Sequence, residues 1–91
     1  MALRMFVTIE ALPGMGDQFA EAVAKRMRDV APEPGCEQFE VFRSAGRPEV
    51  FILVERWSDQ ATYDAHQALN KSRPQMGAGF RKGTVSSERW V

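Results

Sequence analysis

Cysteine and histidine are almost absent from this chain. Among its 91 residues, Cys36 is the one cysteine and His66 the one histidine. A lone cysteine excludes a disulfide within the chain and is compatible with a reducing compartment. Zinc sites normally gather several cysteine and histidine ligands, so one of each argues against a metal site within a single subunit. We therefore predict chemistry that does not depend on a Cys/His metal cluster.

An excess of charge and a long hydrophobic run are also lacking. The 12 basic side chains balance the 12 acidic ones, which leaves no electrostatic footprint for nucleic acid or an anionic membrane. Apolar runs such as Val50 to Val54 are far shorter than the roughly 20 residues that span a bilayer. The first residues lack the layout of a signal peptide. We therefore expect a cytoplasmic protein that binds neither nucleic acid nor a membrane.

The composition is that of a small globular protein. The chain is 44% hydrophobic and 26% charged, which is too apolar for a disordered segment. No internal repeat or dividing linker is visible, so we predict one domain over residues 1–91. A chain of this size buries a smaller share of its surface than larger domains do, and a partner subunit would help to stabilise it.

The first third of the chain predicts a strand followed by a helix. Apolar residues recur at every second position from Leu3 to Ala11, which is typical of a strand with two distinct faces. After the Pro13-Gly14 turn, a helix should begin near Gly16 and end before Pro32. At about 100° per residue, one face of this helix is apolar. That face consists of Phe19, Ala20, Val23, Ala24, Met27, Val30 and Ala31.

Two further strands are predicted to form an antiparallel hairpin. The segments Cys36 to Arg43 and Glu49 to Trp57 are rich in Phe and Val and flank a turn-forming stretch, residues 44–48. Both faces of the second segment are mostly apolar. A sheet that is covered on one side only shows a polar outer face, so a second subunit or a bound ligand should cover the other side. The two faces are Val50, Ile52 and Val54 on one side and Phe51, Leu53, Glu55 and Trp57 on the other.

The last third predicts a second helix and a final strand. Ser58 is the predicted N-cap of a helix that runs to about Asn70, with His66 at the margin of its inward stripe and Tyr63 on its polar side. Residues 72–83 predict a loop and residues 84–91 a strand. The order β-α-β-β-α-β is that of a ferredoxin-like α+β fold, with both helices on one face of a four-stranded antiparallel sheet. The inward stripe is Ala61, Thr62, Ala65, Ala68 and Leu69.

Four segments carry a resemblance to a known family. They are Ala11-Leu12-Pro13-Gly14, Glu33-Pro34-Gly35-Cys36, Phe42-Arg43-Ser44 and Glu55-Arg56-Trp57-Ser58-Asp59, followed by Ala61 and His66. Their combination resembles the antibiotic-biosynthesis-monooxygenase family. The resemblance implies a homodimer in which two sheets form a dimeric α+β barrel, with one cavity per subunit between sheet and helices. It also implies oxidation of a small quinol, phenolic or polyketide-type aromatic with O₂, commonly without metal or flavin, so no cofactor is expected.

Two residues are the predicted catalytic groups. In oxygenation without a cofactor the substrate supplies the electron to O₂, so the protein has to favour a phenolate and exclude water. His66 suits the role of base, because the unperturbed pKa of a histidine is about 6.5, and its position matches the family's histidine in the second helix. Trp57 ends the third strand, where its indole N–H could orient a substrate oxygen. The alternatives are a locally hydrogen-bonded histidine and a tryptophan that only packs.

Six further residues are candidates for contact with the substrate. The hydroxyl of Thr8 could bond a ligand, although Thr is also a good strand former. Glu55 should pair with an arginine, within the subunit or across the dimer, rather than act as a base, because an unpaired buried carboxylate is costly. The apolar members could form cavity walls, with core packing as the alternative. The six are Phe6, Thr8, Phe51, Leu53, Glu55 and Phe80.

Two other functions stay open at this point. One is a non-catalytic domain that sequesters a small hydrophobic metabolite, and the other is haem binding or degradation with His66 as axial ligand. Compared with better-understood relatives, Leu53 stands where polyketide-oxidising members carry Asn. The first strand also lacks the Asn of haem-degrading members. These departures leave the substrate and the specific mechanism open.

Overall fold

A computed structural model describes residues 2–90 of the chain. It contains four strands and two helices in the predicted order. They are β1 Leu3–Ala11, α1 Gly16–Val30, β2 Cys36–Arg43, β3 Val50–Trp57, α2 Gln60–Asn70 and β4 Arg81–Trp90. The β-α-β-β-α-β order of a ferredoxin-like α+β fold is confirmed. No helix in this part of the chain has the length and apolar character needed to cross a membrane.

The four strands form one antiparallel sheet with the order β2-β3-β1-β4. Val7 lies opposite Leu53 in the β1–β3 pair, so the two side chains point to the same face. Both helices pack on that face. The rings of Phe19 in α1 and Phe51 in β3 are 4.7 Å apart, and the rings of His66 in α2 and Trp57 in β3 are 4.6 Å apart. We call this the inner face, and the opposite one the outer face.

Helix α1 forms as its amphipathic pattern predicts. Phe19, Val23 and Val30 are buried in the core, and Ala20 and Met27 pack against it. The prediction is wrong for Ala31, which is exposed because it lies beyond the last helical residue, just before Pro32 ends the helix.

Helix α2 begins one residue later than predicted. Asp59, not Ser58, is the N-cap, and its carboxylate accepts the backbone N–H of Thr62 at 2.9 Å. The hydroxyl of Thr62 faces the backbone N–H of Asp59 in return, completing a capping box. The backbone N–H of Ser58 instead donates to the carbonyl of Gly35 at 2.8 Å. That bond joins α2's start to the segment before β2.

The inward face of α2 also differs from the prediction. His66 is the buried residue of this helix, and Tyr63 is half-buried with its ring edge-on to Trp57. The predicted inward stripe is mostly exposed, as Leu69 shows with 46% of its surface accessible. The sheet offers large aromatic rings to α2, and aromatic side chains of the helix bury more surface against them than alanines do. The exposed members of the stripe are Ala61, Ala65, Ala68 and Leu69.

The final strand begins earlier than predicted. Arg81 already pairs with Ala11, and Gly83 pairs with Glu10, so the predicted loop ends at Phe80. The preceding turn depends on Gly77, which has a φ of 72°. A Cβ atom at Gly77 would collide with the ring of Phe19, so glycine is required there by both backbone and space. The last residue of the predicted strand, Val91, lies outside the described residues.

Candidate functional site

A cavity of about 360 Å³ lies between the inner face and the helices. Its walls combine apolar side chains with a larger number of polar and charged ones, and concave sites of this size can hold a small molecule. The polar groups include Glu55 and His66, and three arginines also line the cavity. The apolar wall residues are Val7, Ile9, Phe39, Leu53, Pro74 and Met76.

The imidazole of His66 is almost completely buried at one wall. Its accessible fraction is 2%. The ring lies 4.6 Å from the ring of Trp57 at 30°, and 5.6 Å from Phe39 in an edge-on arrangement. Aromatic contacts on two sides hold the ring plane in one orientation. The imidazole therefore cannot rotate freely to bring its two nitrogens to other hydrogen-bond partners.

The hydrogen bonds of His66 define which ring nitrogen carries the proton. Arginine can only donate, so Asn70 must present its oxygen to Arg73, whose Nη1 lies 3.2 Å from Oδ1. The amide Nδ2 of Asn70 then donates to Nε2 of His66 at 3.0 Å. Nε2 is the acceptor, so the neutral ring carries its proton on Nδ1.

Nδ1 of His66 donates to Oε1 of Glu33 at 2.9 Å. The side chain of Glu33 is 8% exposed, and its second oxygen lies 2.8 Å from Nη1 of Arg73. Glu33 reaches α2 because Gly35, with a φ of 79°, turns the chain directly under the helix. A Cβ at Gly35 would collide with Thr62. A carboxylate that accepts from Nδ1 while an arginine balances its charge is an arrangement that orients a basic histidine.

Glu55 is the second buried carboxyl group near His66. Its surface is 5% accessible, and Oε1 accepts the indole N–H of Trp57 at 3.0 Å and lies 3.8 Å from Nε2 of His66. Burial raises the pKa of Glu55 above 4.5, although the Trp57 hydrogen bond and the positive charge that His66 carries when it is protonated oppose this. Within residues 2–90 of one subunit, no ion pair joins Glu55 to an arginine, and pairing with an arginine across a dimer stays a prediction.

The structure brings together only part of the predicted set. Leu53, Glu55 and His66 line the cavity. Trp57 lies behind His66 and directs its indole N–H to Glu55 rather than to the cavity. Phe51 is buried against Phe19, and Phe80 is half-buried against the core. Neither of them lines the cavity.

Phe6 and Thr8 lie on the outer face, away from this cavity. Phe6 lines a groove of about 420 Å³ with Ile52 and Trp90, and Thr8 lies opposite Ile52 in the β1–β3 pair. The expectation that they line the same cavity as His66 does not fit this placement. Neighbouring side chains of one strand point to opposite faces, so within one subunit Phe6 and Thr8 face away from the cavity beside His66.

Three polar residues of the site were absent from the predicted set. They are Glu33, Asn70 and Arg73. The sequence could have indicated Asn70, because a residue four positions after His66 lies on the same face of the helix. Glu33 and Arg73 had none, because loops carry both and only folding brings them to the ring.

This arrangement can support proton transfer. A substrate hydroxyl that displaces the Asn70 amide can donate a hydrogen bond to Nε2 of His66 and then transfer its proton there. The hydrogen bond from Nδ1–H to Glu33 stabilises the imidazolium that results. Among residues 2–90, no group of three or more His, Cys, Asp or Glu side chains is arranged to hold a metal ion.

The family model of antibiotic biosynthesis monooxygenase matches residues 2–76. A crystal structure from Pseudomonas aeruginosa has a TM-score of 0.81 and 21% identity, covering 99% of this chain and 92% of that one. A conserved protein of Methanosarcina mazei has a TM-score of 0.82 and 19% identity, with coverage of 99% and 91%. An antibiotic biosynthesis monooxygenase structure has a TM-score of 0.80 and 22% identity, with coverage of 98% and 96%.

Among curated protein sequences, no match to the chain was found. At these identities the solved structures establish the fold, which is the ferredoxin-like one described above. The family model is the stronger finding, because it extends from the start of β1 through α2 to Met76. The chain belongs to the antibiotic biosynthesis monooxygenase family.

Proposed function

We propose that this protein is a cofactor-independent monooxygenase that oxidises a small quinol or phenolic aromatic with O₂. The observation that carries the proposal is His66, whose Nε2 is an acceptor at the wall of a cavity lined by both apolar and polar side chains. Family membership supports the reaction class. The apolar side chains of the cavity wall limit water at the reacting ring, which favours oxygenation over side reactions.

In the proposed reaction, His66 acts on the substrate hydroxyl. The hydroxyl replaces Asn70 at Nε2 and gives up its proton, and Glu33 stabilises the charged ring through Nδ1. The electron-rich phenolate then reduces O₂. One oxygen atom enters the substrate ring, and the other leaves as water with two hydrogens taken from the substrate. Trp57 is a positioning residue in this scheme, since it contacts His66 and Glu55.

Oxygen uptake with a panel of hydroquinones and anthrones tests the proposal. We expect His66→Ala to lower the rate with the best substrate by about 100-fold or more, the usual contribution of a general base. The control is Glu37→Gln, which changes an exposed carboxylate of β2 and should keep the wild-type rate. Unchanged rates in both His66→Ala and Trp57→Phe would contradict the proposed site.

A second candidate is a non-catalytic domain that sequesters a small aromatic metabolite. The observation that favours it is that both ring nitrogens of His66 already have partners within the protein. In this case a ligand raises the melting temperature without being converted. Formation of product from the bound ligand over many turnovers would exclude this candidate.

We further propose that the outer face is covered by a second copy of the chain. This face bears apolar side chains without a helix above them, and 48% of Phe42 and 58% of Trp90 is accessible. Apolar patches of this kind are typical of subunit interfaces. A homodimer with sheets face to face would bury Phe6, Ile52 and Trp90. It would leave the cavity of each subunit on the inner face.

A further inference from the structure

Three arginines line the cavity that contains His66: Arg26, Arg73 and Arg81. They differ in their partners. Arg73 lies 2.8 Å from Glu33, so its charge is balanced. Within residues 2–90, no ion pair joins Arg26 or Arg81 to a carboxylate. The cavity wall therefore carries two guanidinium groups whose charge no ion pair balances.

Neutral groups hold these two guanidinium groups in place. Arg26, on α1, donates from Nη2 to the backbone carbonyl of Pro74. Arg81, at the start of β4, donates from Nη1 to the carbonyl of Met76 at 3.0 Å and from Nη2 to the hydroxyl of Thr84 at 2.8 Å. These bonds fix the position of each group without removing its charge, and further N–H donors remain on both.

Placing Arg26 and Arg81 in the cavity wall has an electrostatic cost, which is seen in the lowered pKa of each arginine. Partial burial lowers the pKa of Arg26, and the nearby charge of Arg73 lowers it further, against the opposing effect of Asp29 and Glu33. Burial also lowers the pKa of Arg81. A positive charge that is partly desolvated is unfavourable unless an anion is present. A ligand with a negative group would offset this cost.

We infer that the cavity takes an aromatic ligand bearing a carboxylate, which Arg26 and Arg81 bind while a ring hydroxyl faces His66. The planar guanidinium forks match a carboxylate. The hydroxyl part of the inference rests on the proposed monooxygenase function. The anion part rests on the arginines alone, so it can be tested by binding without turnover.

A matched pair of probes isolates the charge. We would measure binding of 2,5-dihydroxybenzoate and of 2,5-dihydroxybenzamide, which have the same ring hydroxyls, by calorimetry. We expect the wild-type protein to bind the carboxylate at least about tenfold more tightly. Higher ionic strength should weaken binding of the carboxylate but not of the amide.

Substitutions then locate the effect. The double variant R26Q/R81Q should lose the preference and keep the affinity for the amide, which also shows that it has folded. The control Arg47→Gln removes the same charge from an exposed position of the β2–β3 turn and should keep the preference.

Two results would overturn the inference: equal binding of both probes by the wild type, including no binding of either, or a preference that persists in R26Q/R81Q. Oxygen uptake is recorded separately with both probes. A preserved preference for the carboxylate without turnover of any hydroquinone would contradict the monooxygenase and leave the anion site standing.

Discussion

Glu33 makes the most consequential single contact of the site. It joins the loop after α1 to His66 in α2 and to Arg73 beyond it. A buried N–H that loses its acceptor costs more than the bond itself contributes, because the donor stays dehydrated. Both the orientation of the imidazole and the attachment of α2 depend on this carboxylate.

Removing Glu33 should therefore destabilise the protein. Glu33→Ala leaves Nδ1–H of the buried His66 without its acceptor and Arg73 without its ion pair, and we expect a loss of about 1–3 kcal/mol in the free energy of unfolding. Urea unfolding measures it. The control is Glu37→Ala, which breaks a half-exposed pair with Arg56 and should cost no more than about 1 kcal/mol. If the free energy of unfolding fell equally in the two variants, the buried position of Glu33 would not add to its contribution to stability.

Glu55 should make stability depend on pH. Its pKa in the folded protein is raised above 4.5 by burial, so the folded state holds a proton that the unfolded state has already lost. The free energy of unfolding therefore falls as pH rises from 4.5 through the folded pKa, at no more than about 1.4 kcal/mol per pH unit, and then levels off.

The variant Glu55→Gln isolates this effect, because it accepts the Trp57 hydrogen bond without titrating. Urea unfolding at a series of pH values gives a difference curve between wild type and variant. We expect the wild type to lose stability relative to Glu55→Gln as pH rises through this window. A difference curve that is flat or runs the other way would show that the folded pKa is not raised.

At the scale of the elements, the local sequence at the start of α2 is compatible with two different N-cap residues. Ser58 and Asp59 are both good N-cap residues. The backbone of Ser58 is already engaged by Gly35, which leaves Asp59 in the extended conformation, with a φ of −161° and a ψ of 176°, that a cap needs. A contact from outside the helix thus selects the cap.

Asp59→Ala should lower the melting temperature more than Ser58→Ala, because only Asp59 accepts the N–H of Thr62. The pKa of Asp59 is lowered below 3.8 by its hydrogen bonds from Thr62. Its contribution is therefore present above pH 3.8 and is lost as pH falls through the folded pKa. Melting followed by circular dichroism at neutral and acidic pH checks both points. A larger loss in Ser58→Ala would support the other cap.

At the scale of the molecule, the helices cover the inner face of the sheet, and the outer face carries exposed apolar side chains such as Phe42 and Trp90. If a second copy covers the outer face, the protein should sediment at twice the 10.2 kDa of the chain. Ile52→Glu places a charge in the outer groove and should shift the protein to the monomer. The control Leu69→Glu alters an exposed apolar residue of α2 and should leave the dimer intact. A monomeric wild type would contradict the proposal.

Local sequence signals predicted the six elements, their order and the β2–β3 hairpin. These signals were hydrophobic periodicity, turn and cap residues, and strand propensity. Such patterns are local: each strand or helix must place apolar residues on at least one face, whatever its neighbours are. The resemblance of the Glu33-to-Cys36 and Glu55-to-Asp59 segments to one family was likewise readable from the chain, and the family is confirmed. One domain over residues 1–91 stays a prediction.

Only the tertiary structure decided which faces meet and which side chains form the site. The strand pattern shows that Phe6 and Val7 point in opposite directions but not which of them meets the helices. The rotation of α2 depended on the rings of Phe39 and Trp57 beneath it. Glu33 and His66 are 33 positions apart. Their contact arises from the packing of a loop against a helix, and periodicity carries no information about such a pair.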